Sequence, residues 1–154
     1  MKRIKKISEE VVHQNPWWIY KRDAFEKPDG SNGDYFYAET RGGAACVVPV
    51  LSDGKIVLVS QYRYLRDKIS IEFPCGGVEA GEDPRSAAMR ELFEESGCKV
   101  KDIKEIGIFE PANGYVKDMT HVYLAHVEIV ANPSAEPTGD LERLVRTKDE
   151  VDQM

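Results

Sequence analysis

The sequence predicts an α/β domain, on three observations: apolar strand-like runs separated by Gly- and Asp-rich turns, one strongly signalled helix between them, and a composition able to bury a core. Of 154 residues, 42% are hydrophobic and 31% are charged, which excludes disordered, collagenous and fibrous classes. No internal repeat or low-complexity linker divides the chain, so a single domain over residues 1–154 is expected.

The elements follow in order. Trp17 to Phe25 and Asp34 to Thr40 read as an N-terminal antiparallel pair, a hairpin over about 15–41. The connecting Lys27-Pro28-Asp29-Gly30-Ser31-Asn32-Gly33 is rich in residues that accept turn backbones. Ala44 to Leu51 and Lys55 to Tyr62 flank Ser52-Asp53-Gly54, where Asp-Gly favours a tight reversal because Gly tolerates positive φ. Both runs are hydrophobic enough for a central sheet. Ile103 to Phe109 and the alternating Thr120 to Ile129 are further strands, and Arg143 to Arg146 is a short last one.

The helix is predicted from Pro84 to Ser96. Asp83 suits the N-cap, Pro84 the first helical position and Gly97 the left-handed residue after the last turn. Lys148-Asp149-Glu150-Val151-Asp152 looks like the start of another helix, either very short or cut at Met154. The basic N-terminus (Lys2, Arg3, Lys5, Lys6) reads as a solvated tail.

Charge and cysteine usage narrow the partners. Lys and Arg number 21 against 27 Asp and Glu, a formal charge of -6, which argues against tracking a nucleic-acid backbone. The longest uncharged apolar run, Ala44 to Leu51, is far below the ~20 residues of a membrane helix, and no signal-peptide stretch follows the basic start. No membrane partner is expected, and the location is expected to be cytoplasmic. Cys46, Cys75 and Cys98 lack zinc spacing and are odd in number, so buried, reduced thiols are expected. His13, His121 and His126 lack ligand spacing and receive no role.

The chemistry concentrates on the predicted helix. At 100° per residue, Glu91, Glu94 and Glu95 fall within an arc of about 100°. Ala88, Met89, Leu92 and Phe93 occupy the neighbouring arc and are expected to be buried. Like charges at i, i+3 and i+4 repel, so a positive partner is required. Hard divalent ions such as Mg²⁺ or Mn²⁺ take carboxylate oxygens and bridge to substrate phosphates. The small side chain of Ala87, on the acidic side, leaves room for such a group.

Gly76, five residues, Glu82, seven residues, then Arg90-Glu91-Leu92-Phe93-Glu94-Glu95-Ser96-Gly97-Cys98 resembles the Nudix box of the Nudix hydrolases. It matches at every constrained position if Cys98 counts as apolar. With average residue frequencies such a match arises by chance on the order of once in 10⁸ to 10⁹ windows. The box spans residues 76–98, and the strand order extends the likeness over roughly residues 15–147. The resemblance implies an α/β/α sandwich around a mixed β-sheet. It also implies that Glu91, Glu94 and Glu95 bind Mg²⁺ or Mn²⁺, with the Cys75 backbone carbonyl a further ligand, and that Arg90 and Glu82 orient loop and helix. The family's reaction is hydrolysis of a nucleoside diphosphate linked to another moiety.

Flanking residues are similar to the branch that cleaves ADP-ribose and related nucleoside diphosphate sugars: Gln61-Tyr62-Arg63 and Ile71-Glu72-Phe73-Pro74-Cys75-Gly76-Gly77. Arg63 is a candidate for gripping phosphate, its planar fork suiting two oxygens, and Glu72 for holding Arg63 or a ribose hydroxyl. Trp17 and Trp18 stand where that branch places aromatic rings over the base, though one of two adjacent strand residues is expected to face inward. Glu110-Pro111-Ala112-Asn113-Gly114-Tyr115 replaces the branch's Ser-Pro-Gly loop. Tyr115 lies near the position of a tyrosine marking diadenosine-polyphosphate hydrolases, which keeps those substrates, and nucleoside triphosphates, as alternatives. A non-catalytic ADP-ribose sensor is a further alternative, disfavoured by the intact glutamates. For a general base the resemblance points to a late acidic loop, here Glu136 or Asp140, with Glu94 in reserve. The branch usually forms homodimers, so a homodimer acting on a small nucleotide is expected.

Overall fold

A computed structural model describes residues 3–134 and 141–154. Its strands are β1 (Lys5–Gln14), β2 (Trp18–Glu26), β3 (Asn32–Thr40), β4 (Ala44–Val50), β5 (Ile56–Arg63), β6 (Lys68–Glu72), β7 (Cys75–Gly77), β8 (Cys98–Phe109), β9 (Val116–Lys117), β10 (Thr120–Ile129) and β11 (Leu141–Arg146). The helices are α1 (Pro84–Ser96) and α2 (Lys148–Val151). The chain forms two compact units, Met1–Gly43 with Glu110–Met119, and Ala44–Phe109 with Thr120–Met154.

The first unit is a four-stranded sheet in the order β1-β2-β3-β9. The expected pair is present as β2 and β3, antiparallel from Trp18↔Thr40 to Glu26↔Asn32. Gly30 turns the chain at φ +84°, and Asp29 accepts from the Ser31 amide at 2.9 Å. The N-terminus corrects its expected role as a tail: β1 runs for ten residues antiparallel to β2. Its charged residues pair across the sheet, Lys6 reaching Asp23 of β2 at 2.8 Å while Lys21 of β2 reaches Glu9 at 3.0 Å. Such cross-strand pairs support pairing even where every residue is exposed.

The second unit holds a sheet in the order β11-β5-β4-β10-β8, with β6 beside β5 and β7 beside β4. β10 is parallel to β4 and antiparallel to β8, so the expected mixed sheet is present. The turn at Ser52-Asp53-Gly54 joins strands that pair only at Val50↔Ile56. Beyond that point they separate, β5 taking β6 and β11 while β4 takes β7 and β10. Ala45, Val47, Val57, Tyr123, Ala125 and Val127 from the sheet close a core with Ala87, Ala88 and Leu92 of α1. β8 starts five residues before the expected Ile103, because Gly97 ends the helix at φ +65° and the chain passes directly into the strand. α2 is a single turn held by a reciprocal Thr147–Glu150 capping box. Among the described residues no helix is long and apolar enough to cross a membrane.

Candidate active site

α1 begins as its sequence requires. The Asp83 carboxylate accepts from the amides of Arg85 and Ser86, both at 3.1 Å, and Pro84 occupies the first turn, where no N–H is needed. The helix buries Ala87, Ala88, Leu92, Glu95 and Ser96, which corrects the expected apolar arc: Ala88 and Leu92 are inside, but Met89 and Phe93 are exposed. Ala87, expected to open space, is itself part of the core. The helix is rotated toward its acidic side because polar groups meet it there. The Cys75 amide of β7 donates to Glu95 Oε2 at 2.9 Å, so this carboxylate stands 5% exposed with a backbone donor. One residue on, Gly76 lies against Glu91, and a Cβ there would fall 2.1 Å from Glu91 Cδ. The two glutamates at i and i+4 thus lie along consecutive residues of one short strand.

The positive partner demanded by the crowded carboxylates is Arg90. Its Nε and Nη2 donate to Glu82 at 3.1 and 2.9 Å, and Nη2 also reaches the Gly77 carbonyl at 3.0 Å. Nη1 donates to Glu91 at 2.7 Å and to Glu94 at 3.3 Å. The guanidinium thereby ties the loop before α1 to the helix and to β7. Its hydrogen bonds hold the Glu82 carboxyl below its ordinary range and raise the Arg90 guanidinium.

Arg63 and Glu72 close the same neighbourhood. β5 and β6 form a hairpin with Arg63↔Lys68 and Val59↔Glu72, and Arg63 grips Glu72 through Nε at 2.9 Å and through Nη2. Of the two roles left open for Glu72, the structure shows the hold on Arg63. That bond lowers the Glu72 carboxyl, and Arg63 also feels the charge of Glu95. A guanidinium has five N–H donors, so the pair leaves others available to a ligand. A cavity of about 450 Å³ opens beside Glu72, Ile69, Ile71 and Phe73.

Cys46 and Cys75 stand opposite each other on β4 and β7. A hydrogen bond between the thiols lowers Cys46 and raises Cys75. Both are half-buried and reduced, whereas Cys98 is buried as expected.

In the first unit, Trp17 and Trp18 are both exposed, at 72% and 42%, correcting the expectation that one faces inward. Asn15 Oδ1 accepts from both their amides, at 3.0 and 2.7 Å. This turn keeps Trp17 out of β2 and places Trp18 at its first position. Tyr115 is exposed beside a cavity of about 380 Å³ that also takes in Tyr35, Tyr37 and Asn113 but neither tryptophan. Glu136 and Asp140 lie outside the described residues.

Among the described residues no group of three or more His, Cys, Asp or Glu is poised to cage a metal ion. This donor set nonetheless fits a hard divalent cation. Mg²⁺ binds through one or two carboxylates and leaves its other positions to water and substrate phosphate, and Glu91 and Glu95 are the carboxylates that could hold it beside the Cys75–Gly76 backbone. Sequence reasoning singled out these carboxylates and Arg90, but missed the Cys75 amide as the anchor of Glu95 and the Cys46–Cys75 pairing.

A strand-flanked helix carrying one backbone-anchored glutamate, a second packed on a glycine, and a bridging arginine defines a domain of the Nudix type. The NUDIX domain family matches residues 40–153, and the chain belongs to that family. An ADP-ribose pyrophosphatase of Bacillus subtilis is 39% identical over 83 residues, 54% of this chain and 45% of the relative. One from Mycobacterium tuberculosis is 32% identical over 120 residues, 77% of this chain and 58% of the relative. The chain thus spans about half the length of the curated relatives it matches. A solved structure described as an ADP compounds hydrolase shares the fold with a TM-score of 0.86 at 20% identity, covering 99% of this chain and 83% of that one.

Proposed function

We propose that the chain hydrolyses the pyrophosphate bond of ADP-ribose or a related nucleoside diphosphate sugar, giving a nucleoside monophosphate and a sugar phosphate. The observation that carries this reading is the anchoring of Glu95 by the Cys75 amide beside Glu91 packed on Gly76, within a family match that covers most of the chain. Relatives named as ADP-ribose pyrophosphatases support the substrate class.

Glu91 and Glu95, with Glu94 and the Cys75 carbonyl, are assigned as the holders of Mg²⁺ or Mn²⁺. When bound, the cation neutralises phosphate oxygens and lowers the pKa of coordinated water. Arg63, positioned by Glu72, grips the phosphates and stabilises charge that develops as a water oxygen bonds to one phosphorus and the bridging P–O bond breaks. Glu136 or Asp140 accepts the proton of that water, with Glu94 as the substitute. Trp17, Trp18 and Tyr115 are assigned to contacts with the nucleotide, where aromatic faces suit a base. The working protein is proposed to be a cytoplasmic homodimer.

The test is chromatographic analysis of products after incubation with Mg²⁺ and, separately, ADP-ribose, GDP-mannose, diadenosine polyphosphates and nucleoside triphosphates. AMP and ribose 5-phosphate released preferentially from ADP-ribose, and not in the presence of a chelator, support the proposal. Preference for another compound overturns the substrate, and binding of ADP-ribose without turnover overturns the reaction. Light scattering tests the dimer: a 17 kDa particle at micromolar concentration removes it.

A further inference from the structure

We propose that Cys46 and Cys75 form a peroxide-sensitive dithiol that closes to an intrachain disulfide on the strand against which Glu91 and Glu95 pack. The argument starts from register. Cys46 and Cys75 are directly opposed in the antiparallel β4–β7 pair. The Val47 amide donates to the Pro74 carbonyl at 2.9 Å, and the Cys75 amide turns away to Glu95. That pattern makes the cysteines a non-hydrogen-bonded pair, the kind in which opposed Cα atoms approach to about 4.5 Å with side chains on one face. Disulfides span Cα separations of about 4.4–6.8 Å, a range that takes in this pairing. Both residues are only half-buried. Cys98, by contrast, is 1% exposed in the core of the same unit and serves as an internal control.

The chemistry balances with hydrogen peroxide as the oxidant. One sulfur attacks the O–O bond, forming a sulfenic acid and releasing water, and the second sulfur then displaces hydroxide from it. The hydroxide takes the second thiol proton, so two thiols and one peroxide yield one disulfide and two waters. The bridge ties β4 to β7 at the residue whose amide holds Glu95, one residue from the glycine against Glu91.

The whole chain, fully reduced, is treated with hydrogen peroxide, quenched with catalase, unfolded and labelled with N-ethylmaleimide, then weighed intact and as peptides. The expected product is about 2 Da lighter before labelling, carries a single maleimide on Cys98, yields a peptide joining positions 46 and 75, and regains all three labels after dithiothreitol. In Cys46→Ser the intrachain bridge is lost. Three labels retained after peroxide, sulfinic acid as the main wild-type product, a bridge that includes Cys98 or links two chains, or loss of two thiols in Cys46→Ser each overturn the proposal. None of these readouts depends on hydrolase activity.

Discussion

Gly76 lies so close to Glu91 that a single added methyl group would sit 2.1 Å from the carboxylate carbon. Elsewhere a flexible glutamate could swing aside, but here Arg90 holds Glu91 Oε1 at 2.7 Å. Gly76→Ala therefore has to displace the carboxylate from β7. The expected outcome is a loss of about 10- to 100-fold in kcat/KM, the scale of a disturbed metal-ligand support, with the fold retained by circular dichroism. Activity within about twofold of wild type would show that Glu91 does not need this seat.

Glu95→Gln separates charge from shape. The amide oxygen can still accept from the Cys75 N–H, so the buried contact survives, while the negative charge next to Glu91 and Glu94 is removed. Turnover with Mg²⁺ is expected to fall by at least about 100-fold. Thermal stability should hold or rise, since like-charge repulsion on the helix is relieved. A large drop in Tm alongside the lost activity would assign Glu95 to structure instead.

The contrast between α1 and its surroundings shows where sequence is informative. Asp83, Pro84 and Gly97 each act within a few residues, so the helix limits coincide with those their chemistry requires. The rotation of the helix was not legible, because it depends on the Cys75 amide, 20 residues from Glu95. β7 was hidden for the same reason: its three residues are too few to carry a periodic signal, and only β4 supplies the partner. β1 gave no periodic signal because all ten of its residues are exposed, and its stabilising ion pairs run to residues on another strand. The candidate carboxylates were legible because their spacing is helical and local, whereas the Arg63–Glu72 grip required the β5–β6 hairpin to select one of two roles.

Binding of a divalent cation should appear as stability. A ligand that binds only the folded state adds about 2.7 kcal/mol at 100 times its Kd, which for a chain of this size raises Tm by about 5–10 °C. Mg²⁺ or Mn²⁺ is expected to give such a shift in wild type, reversed by chelator, and little in Glu91→Gln. An equal shift in both proteins would place the ion elsewhere.

Acid should destabilise the chain through Glu72 and Glu82, whose carboxyls are lowered from an ordinary value of 4.5 by Arg63 and Arg90. A group depressed in the folded state leaves the unfolded state binding more protons, so stability rises with pH across that window. The contribution is complete above about pH 4.5 and is lost as pH falls through the lower folded values. Urea midpoints between pH 3 and 7 should be flat above about 5.5 and fall below 4.5. Glu72→Gln and Glu82→Gln should each flatten the acid limb, and an unchanged slope in both would assign it to other carboxylates.

Arg90→Lys tests whether a point charge can do the work of a fork. The guanidinium reaches Glu82, Glu91, Glu94 and the Gly77 carbonyl from three nitrogens, and lysine offers one compact ammonium that cannot span them. Charge neutralisation near the helix is preserved, so the repulsion among the carboxylates is no worse. What is lost is the tie between the loop carrying Glu82, the helix and β7. The expected result is a fall in kcat/KM of about 10- to 100-fold together with a higher Mg²⁺ concentration for half-maximal rate, because Glu91 is no longer held in place before the ion arrives. Were charge alone responsible, lysine would restore both values and only Arg90→Met would be impaired. Measuring rate against Mg²⁺ concentration for the two variants side by side separates positioning from simple neutralisation.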